Sequence, residues 1–369
     1  MKVAHLTSVH PRFDTRIFRK ECLTLHRADY EVSLVVADGH GDAVVEGVNI
    51  LDVGMVKGGR LRRMTASANS VYERARALGS DLYHLHDPEL LPIGLKLKRA
   101  GHKVIFDSHE DYPADILTKA YLKPGLRRLV SSGFSVFECY ACPKLDYIVA
   151  ATPAIRAKFE HLGCAVVDIN NFPLVAEFDE GISWESKRTH ACYVGAMTSI
   201  RGVPELVDAM ALTDPSITLS LVGEFTEDAT AERAKASRGW QRVREHGFLG
   251  RKELRATLAH SFAGVVTFLP APNHVDAQPN KMFEYMAAGV PVIGSHFPLW
   301  REILGSNDCG ICVDPGNPSE IARAIDMLFH DQERGRSMGE RGRAAVLSKY
   351  NWERESSKLL ELYGAILQR

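Results

Sequence analysis

The sequence predicts an α/β protein built from two doubly wound, Rossmann-like domains. Short apolar runs alternate with amphipathic helical patterns along the chain, which is typical of βαβ units and parallel sheets. The alternation stops at a polar stretch over residues 173–188 and starts again at His190. A chain of 369 residues is also long enough for two domains of ordinary size.

The apolar runs give the strands of each domain in order. In the first domain we expect them at Val3–Val9, Val32–Ala37, Val48–Val53, Leu82–Leu85, Val104–Asp107 and Tyr147–Ala151. In the second domain we expect them at Ala191–Val194, Ile217–Val222, Val265–Leu269, Val290–Ile293 and Ile311–Val313. Helical spacing of apolar residues predicts helices at Thr15–Leu25, Leu61–Leu78, Leu126–Cys142 and Tyr350–Gln368.

These elements set the expected domain limits. We place an N-terminal domain at residues 1–172, a linker at 173–188, a second domain at 189–349 and a C-terminal helix at 350–369. In such sheets, ligands bind beyond the carboxyl ends of the strands, so the loops there are the candidate functional segments.

Composition excludes several classes of partner. The net charge of −1 gives no overall attraction to nucleic acid, so no nucleic-acid partner is expected. No run of 18 apolar residues occurs, and the first residues, MKVAHLTSV, predict a strand rather than a signal peptide. We therefore expect a cytoplasmic protein.

The cysteines do not predict a metal site. Their odd number, seven, fits a reducing compartment. Of the two CxxC spacings, Cys139/Cys142 lies in a helical pattern and Cys309/Cys312 in a predicted strand, and no matching histidines accompany them. We expect these cysteines to pack as small apolar residues and no metal to bind.

The loop after the first strand argues against a dinucleotide cofactor. It contains SVHPRFDTR, which has no glycine, whereas nicotinamide-binding domains carry GxGxxG at this place. No cofactor is expected.

The next residues predict local helix features. Of Arg16, Arg19 and Lys20, which follow this loop, we expect at least two to lie on a solvated helix face. In the segment LHDPELLP, Asp87 is expected to act as an N-cap before Pro88.

The segment DAQPNKMFEYMAAGVPVIGSHFPLWREI, residues 276–303, predicts an anion site. Pro279 suits the first position of a helix and Gly289 its left-handed end. Asn280 and Lys281 fall in the first turn, where backbone N–H groups and the helix dipole favour an anion. Glu284 follows one turn later, within reach of the same ligand. Spacing alone also allows an ordinary helix with a solvated charged face.

The same segment resembles the donor-site signature of the family 4 retaining glycosyltransferases, the E-x7-E group with the GT-B fold, in which two Rossmann-like domains face a central cleft. The pattern PNKxFEYMAAGxPVIxSxFPxWREI carries the resemblance. It implies that Glu284 holds the ribose of a nucleotide sugar and that the first acid contacts the transferred sugar. That acid is Asp276 here, a departure from glutamate.

The resemblance extends to the diphosphate and to the flanks of the donor. The family pattern G-R-x-x-x-x-K-G corresponds to Gly195–Gly202, which implies that Arg201 at the lysine position holds the diphosphate together with Lys281. The arginine position is Ala196, a second departure. Glu224 and Phe248 stand where the family flanks the nucleotide base.

In the first domain the resemblance implicates His109. The segment FDSHEDYP matches the family's histidine after the fifth strand, which contacts the transferred sugar. The family's C-terminal helix crosses back onto the first domain, which implies the same for residues 350–369.

The resemblance thus implies a retaining, metal-independent hexosyltransferase-type glycosyltransferase that moves a sugar from a UDP- or GDP-linked donor to a glycan or lipid-linked acceptor, for example in bacterial surface polysaccharide or lipopolysaccharide synthesis. Two alternatives stay open. One is a nucleotide-sugar epimerase on the same fold, and the other is a nucleotide-sugar-binding protein without catalysis, which the departures at Ala196 and Asp276 would suit.

A basic amphipathic helix suggests peripheral contact with an anionic membrane. In residues 119–137, apolar side chains at helical spacing stand beside Lys119, Lys123, Arg127 and Arg128, and KGGRLRR (57–63) adds a second basic patch. A helix packed on its own domain with a basic outer face would give the same pattern.

Overall fold

Two mostly parallel β-sheets organise the chain in a computed structural model that describes residues 1–56, 60–119, 121–178, 184 and 190–367, with the backbone alone for 60–64. The chain divides into two compact units, Met1–Asn171 with Trp352–Arg369, and Phe172–Asn351. The predicted α/β class with two Rossmann-like domains is confirmed. Most of the predicted linker, and residues 57–59 of the second basic patch, fall outside the described residues.

Each unit has one sheet. The first has the strand order β3-β4-β2-β1-β5-β6-β7-β8 and the second β11-β10-β9-β12-β13-β14. Only β3 runs antiparallel to its neighbour among the described strands. The first sheet consists of β1 Lys2–Leu6, β2 Glu31–Val36, β3 Ala43–Val45, β4 Val48–Asp52, β5 Leu82–Leu85, β6 Lys103–Ser108, β7 Tyr147–Ala150 and β8 Val166–Asp168. The second consists of β9 His190–Val194, β10 Thr218–Val222, β11 Val243–Gly247, β12 Ser261–Val266, β13 Val292–Ser295 and β14 Gly310–Val313.

Helices connect these strands. A π-helical turn, Thr15–Cys22, leads into the first of them. They are α1 Leu23–Arg27, α2 Arg60–Leu78, α3 Leu91–Arg99, α4 Tyr112–Thr118, α5 Pro124–Ala141, α6 Pro153–His161, α7 Val203–Met210, α8 Asp228–Ala236, α9 Arg251–His260, α10 Asn280–Ala287, α11 Pro298–Ser306, α12 Pro318–His330, α13 Gln332–Ser348 and α14 Trp352–Leu367. None of the described helices is both long and apolar enough to cross a lipid bilayer.

Three strands were not predicted, and all three lie at sheet edges. β3 and β8 end the first sheet, and β11 ends the second. An edge strand is not covered on both faces, so it lacks the continuous apolar run that marks a buried parallel strand. β11, with the sequence VREHG, is largely exposed and polar. β12 also begins four residues earlier than predicted, at Ser261, because it pairs there with His190 of β9.

Two glycines allow α10 to pack closely against its neighbours. A Cβ on Gly264 of β12 would lie 2.4 Å from the Tyr285 ring, and a Cβ on Gly339 of α13 would lie 2.2 Å from the Gly289 carbonyl oxygen. The Tyr285 hydroxyl in turn accepts a hydrogen bond from the Val194 N–H, 2.9 Å away. These contacts fix the start of α10 relative to the end of β9.

We expect Gly339→Ala to lower the free energy of unfolding by about 1–3 kcal/mol, because the added methyl overpacks the α10–α13 contact. Urea denaturation measures the change. The matched control is Gly364→Ala on α14, where a Cβ meets nothing within 4 Å and the better helix propensity of alanine applies without a clash. Equal unfolding midpoints for Gly339→Ala and the wild type would contradict this packing.

Candidate functional site

The start of α10 lies close to its predicted position. Asn280 is the first helical residue and is exposed, and Gly289 adopts the left-handed conformation with φ +60°. Pro279 was expected at the first helical position but lies one residue earlier, as the N-cap, because its ψ of 127° is extended. The backbone N–H groups of Asn280 and Lys281 belong to the first turn, where no intrahelical carbonyl is available.

Lys281 places its amino group out of water without an ion pair among the described residues. The residue is only 8% exposed, and its Nζ finds no hydrogen-bond partner among the described residues. Nζ lies 3.8 Å from the centroid of the Tyr193 ring, a cation–π contact. Burial, and then the charge of Arg201, lower the pKa of Lys281 well below its ordinary value. This arrangement favours an anionic ligand, which would supply the missing charge.

Arg201 and Gly202 lie beside Lys281. A Cβ on Gly195 would be 3.2 Å from Lys281 Nζ and 3.8 Å from Arg201 Nη1, so the two cations converge on this glycine. Arg201 Nη1 donates to the Ala196 carbonyl oxygen at 3.3 Å. Gly202 has φ +69°, and a Cβ there would lie 1.9 Å from the Thr267 carbonyl oxygen, so only glycine fits. The structure thus brings two cationic side chains together beside the backbone of Gly195.

Glu284 is held by an arginine that sequence reasoning missed. Arg251 Nη1 donates to Glu284 Oε1 at 2.7 Å, and Nη2 contacts Glu177. Burial would lower the pKa of Arg251, but Glu284 and Glu177 raise it above its ordinary value. Arg251 is the first residue of α9, where a cation opposes the helix dipole. The same feature singled out Lys281 and could have identified Arg251.

The remaining predicted donor residues are more exposed. Asp276 lies exposed in the turns between β12 and α10, and these turns are fastened where Trp300 Nε1 donates to the Ala277 carbonyl oxygen at 2.7 Å. Glu224 is exposed just after β10. Phe248 follows β11 and is 83% exposed. All three stay predictions as ligand contacts.

In the first unit, His109 lies at the carboxyl end of β6, as expected. Its Nε2 is 3.2 Å from Asp107 Oδ2 and 3.3 Å from His86 Nδ1. Asp107 also accepts two hydrogen bonds from Arg16, each 2.8 Å. Burial would raise the pKa of Asp107, but Arg16 and then His109 outweigh it and hold that pKa well below its ordinary value. A carboxylate therefore orients the His109 ring.

One expectation for the neighbouring loops was wrong, and a second is confirmed in position only. Arg16 and Lys20 are each 3% exposed rather than solvated, because the π-helical turn directs them and Glu21 inward. Lys20 Nζ donates to Asn171 Oδ1 at 2.6 Å. Asp87 is the N-cap residue of the turn at Pro88–Leu90, as predicted, but its side chain makes no capping bond, since its carboxylate instead accepts from the Thr7 hydroxyl at 2.8 Å.

Sequence reasoning also missed a buried histidine cluster beside His109. His5 lies on β1, His84 on β5 and His86 just after β5. Their ring centroids are 4.7–5.1 Å apart, and His86 stacks on both other rings. Burial lowers the pKa of each, that of His86 to about 4. Burial and Asp107 raise the pKa of the adjacent Glu21 well above its ordinary value. The HxH spacing at 84–86 was the available signal.

The isolated charge at Lys281 predicts a pH dependence of stability. The unfolded chain binds this proton more tightly, so the free energy of unfolding rises with pH between the lowered folded-state pKa and about 10.4, the unfolded value. We expect Lys281→Met to be more stable than the wild type near neutral pH, with the difference shrinking as pH rises. Urea midpoints from pH 7 to 10 measure it. Lys252→Met, at an exposed position of α9, is the control. A difference in stability between Lys281→Met and the wild type that stays constant with pH would contradict the assignment.

Comparisons with known proteins match both halves of the chain. The family model for glycosyl transferases group 1 matches residues 176–345, and the model for Glycosyltransferase Family 4 matches residues 16–171. A lipopolysaccharide core biosynthesis glycosyltransferase, LpsE of Rhizobium meliloti (strain 1021), is 26% identical over 229 residues. That match covers 60% of this chain and 64% of LpsE, so it spans less than two thirds of the relative.

Solved structures show the same fold. Sucrose-phosphate synthase from Thermosynechococcus elongatus superposes with a TM-score of 0.80 at 18% identity, covering 100% of this chain and 99% of that one. Anabaena Alr3699/HepE in complex with UDP and glucose gives a TM-score of 0.75 at 16% identity, covering 99% and 100%. With both halves matched to these family models and a GT-B structure along its length, the chain belongs to the family 4 glycosyltransferases.

Proposed function

We propose that this glycosyltransferase moves a sugar from a UDP- or GDP-linked donor to a glycan or lipid-linked acceptor with retention of configuration, in bacterial surface polysaccharide synthesis. The observation that carries the proposal is the pair of cations, Arg201 and Lys281, at Gly195, with the Lys281 ammonium unpartnered among the described residues. The similarity to LpsE, a lipopolysaccharide core enzyme, supports the acceptor class.

The two cations would hold the diphosphate of the donor. Guanidinium groups bind phosphate oxygens through paired N–H donors, and an ammonium acts as a compact charge. Lys281 also belongs to the first turn of α10, whose backbone N–H groups would add donors for the same anion. These groups neutralise the charge that grows on the leaving phosphate, so the chemistry requires no divalent metal at the donor.

Retention follows from attack on the face that the leaving group vacates. The bond from the sugar C1 to the phosphate oxygen breaks, and the electron pair stays on the nucleoside diphosphate. The acceptor hydroxyl oxygen forms the new bond to C1 on the same face, and its proton passes to the leaving phosphate. No side chain is required as nucleophile in this scheme.

The remaining residues would position the donor. Glu284, held by Arg251, is proposed to bind the ribose hydroxyls. Asp276 and His109 are proposed to contact the transferred sugar, and Glu224 and Phe248 to flank the base. Arg251 would act through Glu284 as a positioning residue, because both of its Nη atoms already contact carboxylates.

We expect Glu284→Ala and Lys281→Ala each to lower donor turnover about 100-fold or more while the fold persists. Sugar-nucleotide turnover, measured by released UDP or GDP, is the assay, and thermal shift with a panel of sugar nucleotides identifies the donor beforehand. Glu340→Ala, at an exposed position of α13, is the control.

Arg251→Ala should lower donor turnover when it is made in the wild type. It should lower turnover little further when it is made in Glu284→Ala, because each change removes the same Arg251–Glu284 interaction.

The same assay separates the alternatives. An isomerised free sugar nucleotide without acceptor would indicate an epimerase. Binding of UDP or GDP without turnover would indicate a protein that has lost catalysis. Turnover at the wild-type rate in Glu284→Ala or Lys281→Ala would overturn the donor-site assignment.

Contact with an anionic membrane is proposed through α5. This helix buries the polar residues Ser131 and Glu138 and leaves Leu129 and Val136 exposed by 70% and 72%. Arg127 was expected among its basic outer residues, but its Nε donates to the Leu122 carbonyl oxygen at 2.7 Å. The proposal of membrane contact therefore rests more on the exposed apolar side chains than on the arginines.

We expect the protein to float with vesicles that contain anionic lipid and to float less with neutral vesicles. Exchanging Leu129 and Val136 for glutamate should abolish flotation, because charges then replace the apolar contact. Val44→Glu, at a 71% exposed position of β3, is the matched control. A wild-type protein that stays at the bottom of the gradient with anionic vesicles would end this proposal.

A further inference from the structure

We propose that the first unit contains a divalent-cation site of the zinc class, formed by His5, His84, His86 and Glu21. The site is separate from the donor residues of the second unit and is structural in kind, since four protein ligands leave no open coordination position. Donor atoms of all four side chains lie within 4.8 Å of one another, and all four residues are buried.

The sheet places the three imidazoles on one face. His84 and His86 are two residues apart along β5 and its extension, so their side chains point the same way. The His86 N–H donates to the Leu6 carbonyl oxygen, which continues the ladder beyond the strand. His5 on β1 is the direct register partner of His84. The π-helical turn adds Glu21.

The distances suit a tetrahedral ion. Two ligand atoms that each lie about 2.0–2.1 Å from zinc are roughly 3.4 Å apart in that geometry. His5 Nδ1 is 2.8 Å from His86 Nε2, and Glu21 Oε2 is 3.7 Å from the first and 3.8 Å from the second. The two distances to Glu21 are a few tenths of an ångström longer than the ideal value. The distance between the two histidines is roughly 0.6 Å shorter, because these nitrogens share a hydrogen bond that a metal ion would replace.

The outer nitrogens already have partners of the kind that support metal-binding histidines. His86 Nδ1 lies 3.4 Å from Asp107 Oδ2. His84 Nδ1 is 2.8 Å and His5 Nε2 is 3.2 Å from the hydroxyl of Tyr363, which α14 supplies. A carboxylate or oxygen acceptor at the outer nitrogen fixes the tautomer and directs the other lone pair inward.

Three buried atoms of the cluster form no hydrogen bond within the described part of the chain, although one of them, Glu21 Oε1, lies in an ion pair with Arg16. Both carboxylate oxygens of Glu21 and His84 Nε2 have no hydrogen bond among the described residues. Arg16 is engaged by Asp107, although its Nε approaches Glu21 Oε1 to 3.2 Å. Leaving such groups unsatisfied is costly, whereas a divalent cation binds Glu21 Oε2 and His84 Nε2 together. An imidazole and carboxylate ligand set suits zinc.

The test is the metal content of the full chain, purified without a histidine tag. We expect about one zinc ion per chain by elemental analysis after desalting. Removal by a chelator should lower the melting temperature, and Zn²⁺ should restore it. Co²⁺ in place of zinc should give the visible absorption of a tetrahedral site. Lys281→Ala should keep its metal, which separates this test from that of the transferase reaction.

Variants locate the site. Glu21→Gln, which keeps the shape of the side chain, and His84→Ala should lose the metal, whereas His161→Ala, an exposed histidine on α6, should keep it. A folded wild type that contains no metal and binds neither Zn²⁺ nor Co²⁺ would overturn the proposal. So would metal retained equally by all three variants, because it would then lie elsewhere on the surface.

Discussion

The amino group of Lys281, buried without an ion pair among the residues that the structure describes, is the constraint on which the donor site depends. Burying a cation that has no partner costs free energy, so the surrounding structure must hold the Lys281 side chain in place. The close packing of α10 against its neighbours, at Gly264 and Gly339, holds it there. The ring of Tyr193 offers a weak substitute for an anion. The described residues of the second unit therefore leave this amino group without a hydrogen bond or ion pair.

The first unit also buries charged groups, but there several of them pair with one another. At the carboxyl end of β6, Arg16 pairs with Asp107 and Asp107 lies within hydrogen-bond distance of His109, whereas Glu21 and His84 keep atoms without a hydrogen bond among the residues that the structure describes. The π-helical turn makes this possible, because it directs Arg16, Lys20 and Glu21 to one buried side. Both units place their charged groups at the carboxyl ends of parallel strands, where the sheet geometry leaves backbone and loops accessible.

Sequence patterns predicted the features that depend on local chemistry. The central strands, the left-handed Gly289 and the first-turn position of Lys281 all follow from apolar runs and helix-end preferences. Edge strands such as β11 could not be found this way, because they lack the apolar pattern. The burial of Arg16 was missed because a period of 3.6 residues does not describe a π-helical turn. Contacts between distant segments, such as Arg251 with Glu284, require the fold itself.

The lowered proton affinity of Lys281 has a consequence for ligand capture. A bound diphosphate favours the charged form of the lysine, so its binding and the binding of a proton reinforce each other, and by linkage the effect is reciprocal. Nucleotide binding would then draw a proton from the buffer wherever Lys281 is partly neutral, and the measured heat of binding would vary with the ionisation heat of that buffer. A neutral sugar would draw none, so proton uptake itself distinguishes a phosphate-bearing ligand from an uncharged one.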